Sequence, residues 1–293
     1  MLRIDGLTYE EILEDFKTHK DYLTLLLEEK VIGFSGLYLT EDEAAALMRH
    51  LYSGYSECGA DRAPSVAVYR NKNGDQVSDD SFRRDLSVFD VANANWHADN
   101  LGSDFCTSHI GLSMIHYDCP DADSGQTLFV DQQKLFDKCP YKTYVESLWC
   151  KHQAYGDKEH GIHPVLRTHP ITARTGLHIS SRFMVPEKCN MFNPDLPQSE
   201  QYLDTPPQYQ EFMAWLWQEI KNPENWEWWR WQEGDFLLWD NRCFVHSFTG
   251  GWSRGDRVFH RIVIGYEKPY YKPSITPGLL GDTFDIGQVW YAD

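Results

Sequence analysis

Strand-forming sequence in this 293-residue chain comes in short pieces separated by turns, and its richest blocks stand far apart. The first, opening at Phe105, runs TSHIGLSMIHYD, then the turn CPDADSGQ, then TLFVD. The second holds WEWWRWQEGDFLLWDN, with Glu233-Gly234-Asp235 predicted as a hairpin turn, followed by RVFHRIVIGYE. Aromatic and β-branched runs bounded by Gly and Asp are strand signals. Helical sequence surrounds them. Thr8 with Glu11 makes a capping-box signature and predicts a helix to about Glu29, with Leu13, Phe16, Leu23 and Leu26 near helical spacing. Val31 to Tyr38 reads as a strand. Thr40 with Glu43 predicts a second capped helix to about Tyr52, and residues 132–150 and 207–220 are helical in pattern. Residues 71–90 are polar, charged and aperiodic, and read as a mobile surface segment able to act as a lid. Without repeats, low-complexity stretches or a linker, the chain is expected to form one domain over 1–293. Its class is α+β, with a jelly-roll core and flanking helices.

A net charge of -17 makes nucleic-acid backbones and anionic membranes poor partners. The 7 cysteines are scattered, odd in number and lack a CxxC pair, which argues against a disulfide framework and a structural zinc ribbon. The N-terminus has no apolar signal core, and no stretch is long and apolar enough to span a membrane. A reducing cytoplasm is the expected location.

Trp96-His97-Ala98-Asp99 sets two metal-ligand side chains at i and i+2, the same face of an extended strand. His246 follows far downstream in DNRCFVHSF. Two imidazoles and one carboxylate on one side of an ion leave the other side open, the facial arrangement of non-haem Fe(II) oxygenases. His-x-Asp by itself is weak. With 12 His and 44 acidic residues, roughly two such triplets arise by chance. His19-Lys20-Asp21 falls in helical sequence, where i and i+2 diverge. His116-Tyr117-Asp118 ends a predicted strand and competes directly.

After His246 come Arg257 and His260-Arg261. A small diacid on the metal needs its far carboxylate neutralised, and a buried arginine does this with paired hydrogen bonds. If Val258–Ile264 is a strand, Arg257, Phe259 and Arg261 share a face and both guanidiniums can line one pocket. The competing reading pairs them with core or surface acids. Other features read more plainly. The spacings of His152, His160, His163, His169 and His178 fit no standard metal site. The tryptophans from Trp215 to Trp231 read as packing, and Cys243 as a small buried residue.

Together these pieces resemble the TauD/TfdA family of Fe(II)- and 2-oxoglutarate-dependent dioxygenases. The matching segments are WHAD at 96–99, SGQTLFVD at 124–131, HPVLRTHPITARTGLHIS at 163–180, DNRCFVH at 240–246 and RVFHRIVIG at 257–265. In the family these are WHxD, a GGxT-type segment, an HPVVRTHPETGR-like stretch, DNxxxxH and a closing RxxHR. By position, His97, Asp99 and His246 match the iron ligands. Thr127 matches the threonine that bonds the distal carboxylate of 2-oxoglutarate, and Arg257 its salt-bridge arginine. Arg261 matches an arginine that holds an anionic substrate group in the taurine-using branch, and Asn93 a substrate-side asparagine. Ser124-Gly125-Gln126 stands where the family has Gly-Gly-Asp, and residues 53–90 carry no placeable motif, so the substrate stays open. Asp99 stands where halogenating relatives have Gly or Ala, which favours hydroxylation.

The resemblance implies a double-stranded β-helix (jelly-roll, cupin-like) core binding Fe(II), the cosubstrate 2-oxoglutarate and O2. It implies hydroxylation of an unactivated C–H bond in a small polar or anionic molecule, with release of succinate and CO2. Relatives often form homo-oligomers. Two rival readings use the same residues: a hydrolase or lyase with a Zn(II)-activated water, and a non-catalytic 2-oxoglutarate-binding protein.

Overall fold

The computed structural model describes residues 1–19, 21–53, 67–70, 96–99, 106–146, 148–153, 160–169, 171–180, 184–191, 207–252 and 256–267. Asn93 and the expected lid at 71–90 lie outside the described residues. In chain order the strands are β1 (Leu2–Ile4), β2 (Val31–Phe34), β3 (Ala67–Arg70), β4 (Cys106–Tyr117), β5 (Thr127–Asp131), β6 (Leu148–Gln153), β7 (His160–Pro164), β8 (Leu166–Thr168), β9 (Thr175–Leu177), β10 (Met184–Met191), β11 (Glu227–Trp229), β12 (Phe236–Asp240), β13 (Phe244–Phe248) and β14 (Arg257–Glu267). The helices are α1 (Tyr9–Lys17), α2 (Asp21–Glu29), α3 (Glu41–Ser53), α4 (Gln132–Lys138), α5 (Lys142–Val145) and α6 (Pro207–Lys221). No helix among the described residues is long and apolar enough to cross a membrane.

A 6-stranded sheet, β1-β2-β12-β4-β14-β3, organises the molecule. Alternation along its strands sorts side chains to two faces. Ile32, Phe34, Phe236, Leu238 and Ile262 pack with Ile12, Phe16, Leu26, Leu47 and Met48 of the N-terminal helices. The other face presents Ile110, Leu112, Met114, Leu237 and Trp239, which meet Phe129, Trp229 and Phe244 of a 3-stranded sheet, β11-β5-β13. That smaller sheet turns Leu128, Val130 and Val245 outward, onto Leu135 of α4, Val145 of α5 and Phe212 and Leu216 of α6. The space between the two sheets receives Arg257, Phe259 and Arg261, because β14 pairs Arg261 with inward-facing Leu112 and Ile262 with helix-side Gly111.

Both predicted capping boxes form. Glu11 N donates to Thr8 Oγ1 at 3.2 Å while Thr8 N donates to Glu11 Oε2 at 2.8 Å, and Thr40 and Glu43 repeat the exchange at 3.3 and 2.8 Å. The single helix expected from Thr8 to Glu29 is two. Asp15 is buried, and its carboxylate accepts from the backbone of Asp21 at 3.2 Å and Tyr22 at 3.1 Å, starting α2 where a continuous helix would have run on. The helix expected over 132–150 is likewise two, α4 and α5, broken after Lys138, and β6 follows from Leu148.

Glu233–Asp235 is not the turn of a hairpin. Its flanking strands, β11 and β12, belong to different sheets, so the segment is a corner joining them. Gly234 takes φ +82°, its N–H donates to Met114 O at 3.0 Å, and Met114 N donates to Asp235 O at 2.7 Å. The buried Asp235 carboxylate accepts both 2.8 and 2.9 Å bonds from Arg3, whose guanidinium also lies 4.1 Å over the Trp229 ring.

Gly33 sets how closely the sheets approach. A Cβ there would lie 2.0 Å from Trp229 Cη2. Gly33→Ala must therefore push Trp229 out of the inter-sheet core, and it is expected to destabilise the protein by about 2 kcal/mol or more. Denaturant unfolding checks this, and an unchanged midpoint would contradict the packing described.

Candidate metal centre

The main chains of His97 and His246 meet as an antiparallel bridge outside the regular strands. His97 N donates to His246 O at 2.9 Å, and His246 N donates to His97 O at 2.7 Å. Their rings consequently lie 4.3 Å apart. Asp99 completes the group: its Oδ1 is 3.7 Å from His97 Nε2 and its Oδ2 is 3.5 Å from His246 Nε2. One ligand atom from each of the three residues lies within 4.8 Å of the others. Donors sharing one ion at about 2.1 Å stand at most about 4.2 Å apart, so the 3.5 Å between Asp99 Oδ2 and His246 Nε2 suits a common ion.

The surroundings fit a cation. Arg261 pairs with Asp99 Oδ1, whereas Oδ2 is buried and has no hydrogen-bond partner. Burial works against ionisation of Asp99, but Arg261, His246 and His97 more than offset it and hold the carboxyl well below the usual range. Burial, reinforced by His97, pushes His246 down to about 3, so the ring is neutral near pH 7, as ligation requires. Packing orients that ring, with Trp239 at 5.2 Å and Phe129 at 6.1 Å. Asn241 fixes the third ligand: Asp99 N donates to Asn241 Oδ1 and Asn241 Nδ2 donates to Asp99 O, both at 3.1 Å. Ser180 grips Ala98 similarly, accepting from its N–H at 3.2 Å and donating to its carbonyl at 3.3 Å. Asn241 and Ser180 were inside recognised motifs, but only the fold reveals what they hold.

Register carries the site further. In the β5–β13 pairing Phe129 stands opposite His246 and Thr127 opposite Phe248. Thr127 and His246 therefore project to one face, displaced by two residues, about 7 Å along the strand. Thr127 Oγ1 accepts from Arg257 Nη2 at 3.3 Å. Arg257 is buried, its Nε finds no hydrogen-bond partner, and no carboxylate pairs with it among the described residues. Instead it is walled by Phe259, Trp231 and Trp252, with ring centroids at 4.9, 5.8 and 5.9 Å. Burial pushes its guanidinium down to about 10, still protonated at neutral pH. A desolvated, charged donor without an anion is a site for one.

The rival triplets do not gather ligands. His116 is exposed and pairs with Glu233 at 2.9 Å, and His19 sits exposed beyond the end of α1. A second cluster, His169, Asp240 and Cys243, is close enough to hold an ion, yet its donors are occupied. Asp240 Oδ1 accepts from Arg242 N and Nε at 2.9 and 2.8 Å, and Oδ2 from Arg242 Nη2 and His169 Nε2 at 2.6 and 2.8 Å. His169 Nδ1 accepts from Ile171 N and Thr172 N at 3.2 and 3.0 Å, which leaves its proton on Nε2. Burial pushes the Cys243 thiol well up, so it is not a thiolate. This network braces the turn leading into β13 and His246.

Residues 3–263 match the Taurine catabolism dioxygenase TauD, TfdA family, and the chain belongs to it. Its class is that of the 2-oxoglutarate-dependent dioxygenases. Among curated relatives it is 24% identical over 267 residues to an alkylsulfatase of Acinetobacter baylyi, covering 83% of this chain and 75% of that one. It is 27% identical over 183 residues to the α-ketoglutarate-dependent dioxygenase oryG of Aspergillus oryzae, covering 51% and 48%. The structure of a taurine dioxygenase from Burkholderia xenovorans superposes with a TM-score of 0.63 at 18% identity, covering 94% of this chain and 91% of that one. The last likeness is one of fold: mixed helix and sheet in the same arrangement.

Two outcomes follow. Asn241→Ala releases the Asp99 backbone and should weaken Fe(II) or Mn(II) binding about tenfold to a hundredfold, read by anaerobic metal titration, with circular dichroism unchanged. His109, fully buried beside Asp240, is pushed down to about 3 by burial. The unfolded chain takes up this proton near pH 6.5 and the native one does not, so stability falls as pH drops from about 6.5 toward 3. His109→Gln should remove about 2 kcal/mol of the stability loss between pH 7 and pH 5, measured by urea unfolding at each pH.

Proposed function

We propose that this protein is an Fe(II)-dependent oxygenase that hydroxylates an unactivated C–H bond of a small polar or anionic molecule in the cytoplasm. In this reading His97, Asp99 and His246 hold the metal, and Thr127 and Arg257 hold the distal carboxylate of 2-oxoglutarate. The whole chain serves as one domain, its two facing sheets being the walls of a double-stranded β-helix core. The observation that carries the reading is the buried Arg257, a cation without a carboxylate partner among the described residues, beside a hydroxyl and on the same side as the ligand set.

Bound Fe(II) supplies the redox chemistry, in which O2 converts 2-oxoglutarate to succinate and CO2 and places its second oxygen atom in a substrate C–H bond. The residues do the rest. Asp99 Oδ2 and the imidazoles of His97 and His246 would hold the ion and leave its other positions for the cosubstrate and O2. Arg257 neutralises the diacid's remote end in an aromatic enclosure that keeps water away. Arg261 gives a donor to Asp99 Oδ1, which keeps that oxygen from the metal. A guanidinium has five N–H groups, so the same side chain can also meet an anionic substrate group next to the ion. Asn93 is proposed on the substrate side.

The test is succinate release from purified protein over a panel of small sulfonates, carboxylates and amino acids. Release should require Fe(II), 2-oxoglutarate and O2, and should vanish in His97→Ala. Arg257→Met should raise the 2-oxoglutarate requirement at least about a hundredfold. Turnover under strict anaerobiosis without 2-oxoglutarate would instead identify a hydrolase or lyase, and binding without turnover on any compound a sensor.

A further inference from the structure

Trp231 lies just past β11, is buried, and donates its indole Nε1–H to Thr127 Oγ1 at 2.9 Å. A threonine hydroxyl has one proton to give and two lone pairs to receive. At Thr127 both lone pairs are taken, one by Trp231 and the other by Arg257 at 3.3 Å. Indole and guanidinium are donors only, so neither can accept the Thr127 proton. Among the described residues no acceptor for that O–H is present either. The hydroxyl is left with a single use, donation to a group that enters beside Arg257.

We propose that Trp231 is a positioning residue that locks Thr127 as a hydrogen-bond donor to the distal carboxylate of 2-oxoglutarate. The inference rests on the functional reading above and deepens it. Without the indole N–H the hydroxyl could rotate and present a lone pair to the incoming anion, which repels it.

The indole is itself held. Trp231 N donates to Gln126 Oε1 at 2.7 Å, and Gln126 is fixed by donating from Nε2 to Ala122 O at 2.8 Å and to Tyr117 Oη. Gln126 N also donates to Thr249 Oγ1 at 2.8 Å. Gln126 is one of the positions where the chain departs from the family's Gly-Gly-Asp, and it immediately precedes Thr127. The departure thus brings an amide that anchors the tryptophan serving the adjacent hydroxyl.

The experiment measures binding of 2-oxoglutarate and of 2-oxopentanoate, the same chain without the distal carboxylate, to the full-length Mn(II)-loaded protein by calorimetry. Trp231→Phe keeps the ring and removes the N–H. It should weaken 2-oxoglutarate roughly tenfold and leave 2-oxopentanoate unchanged within about twofold. In a Thr127→Val background the same substitution should add nothing. Gln126→Met is a second variant should Trp231→Phe not fold, with a smaller loss that is again confined to the diacid. Equal losses for both acids, or additive losses in the double variant, would overturn the role and leave Trp231 as packing. If Thr127→Val itself leaves 2-oxoglutarate binding intact, the assignment of the cosubstrate site fails, and this inference with it.

Discussion

The backbone bridge between His97 and His246 is the constraint from which the rest of the site follows. Two main-chain hydrogen bonds bring together segments from distant parts of the sequence and fix the imidazoles before any ion arrives. Side-chain rotamers alone would leave each ring free to turn away at small cost. Here Trp239 and Phe129 pack one ring, while Asn241 and Ser180 fix the 98–99 backbone that carries the carboxylate. A ligand set held this way loses little entropy on binding metal.

Charge is distributed with the same economy of partners. Asp240 is buried and saturated, with each oxygen accepting from Arg242 and one also from His169. Arg257 is equally buried, and among the described residues it hydrogen-bonds a hydroxyl, is walled by aromatic rings and has no carboxylate partner. Leaving a guanidinium desolvated without an anion is unfavourable by on the order of several kcal/mol, a state a fold retains where a ligand relieves it. The contrast between these two groups separates the structural network from the binding site, although both contain ligand-type residues in close proximity.

Much of this was legible in sequence because period and spacing are local properties. The capping boxes at Thr8 and Thr40 and the strand character of Val258–Ile264 depend only on neighbouring residues, and the structure has them where they were expected. What was not legible depended on tertiary choice. Glu233-Gly234-Asp235 has hairpin composition, but whether the following strand pairs back or crosses to another sheet is decided by Met114, far away in the chain. Asp15 ends one helix by capping the next, an interaction that propensity does not encode. The tryptophans near β11 are packing residues, as their sequence reads, yet a packing role does not reveal that Trp231 also donates to Thr127.

The most direct test is an anaerobic optical titration. Fe(II) and 2-oxoglutarate added together should produce the weak visible charge-transfer absorption of a ferrous 2-oxo-acid chelate, saturating at one iron per chain. Asp99→Ala and His246→Ala should each abolish it. A band of undiminished strength in either variant, or none in the unaltered protein despite tight iron binding, would place the metal elsewhere and contradict the account.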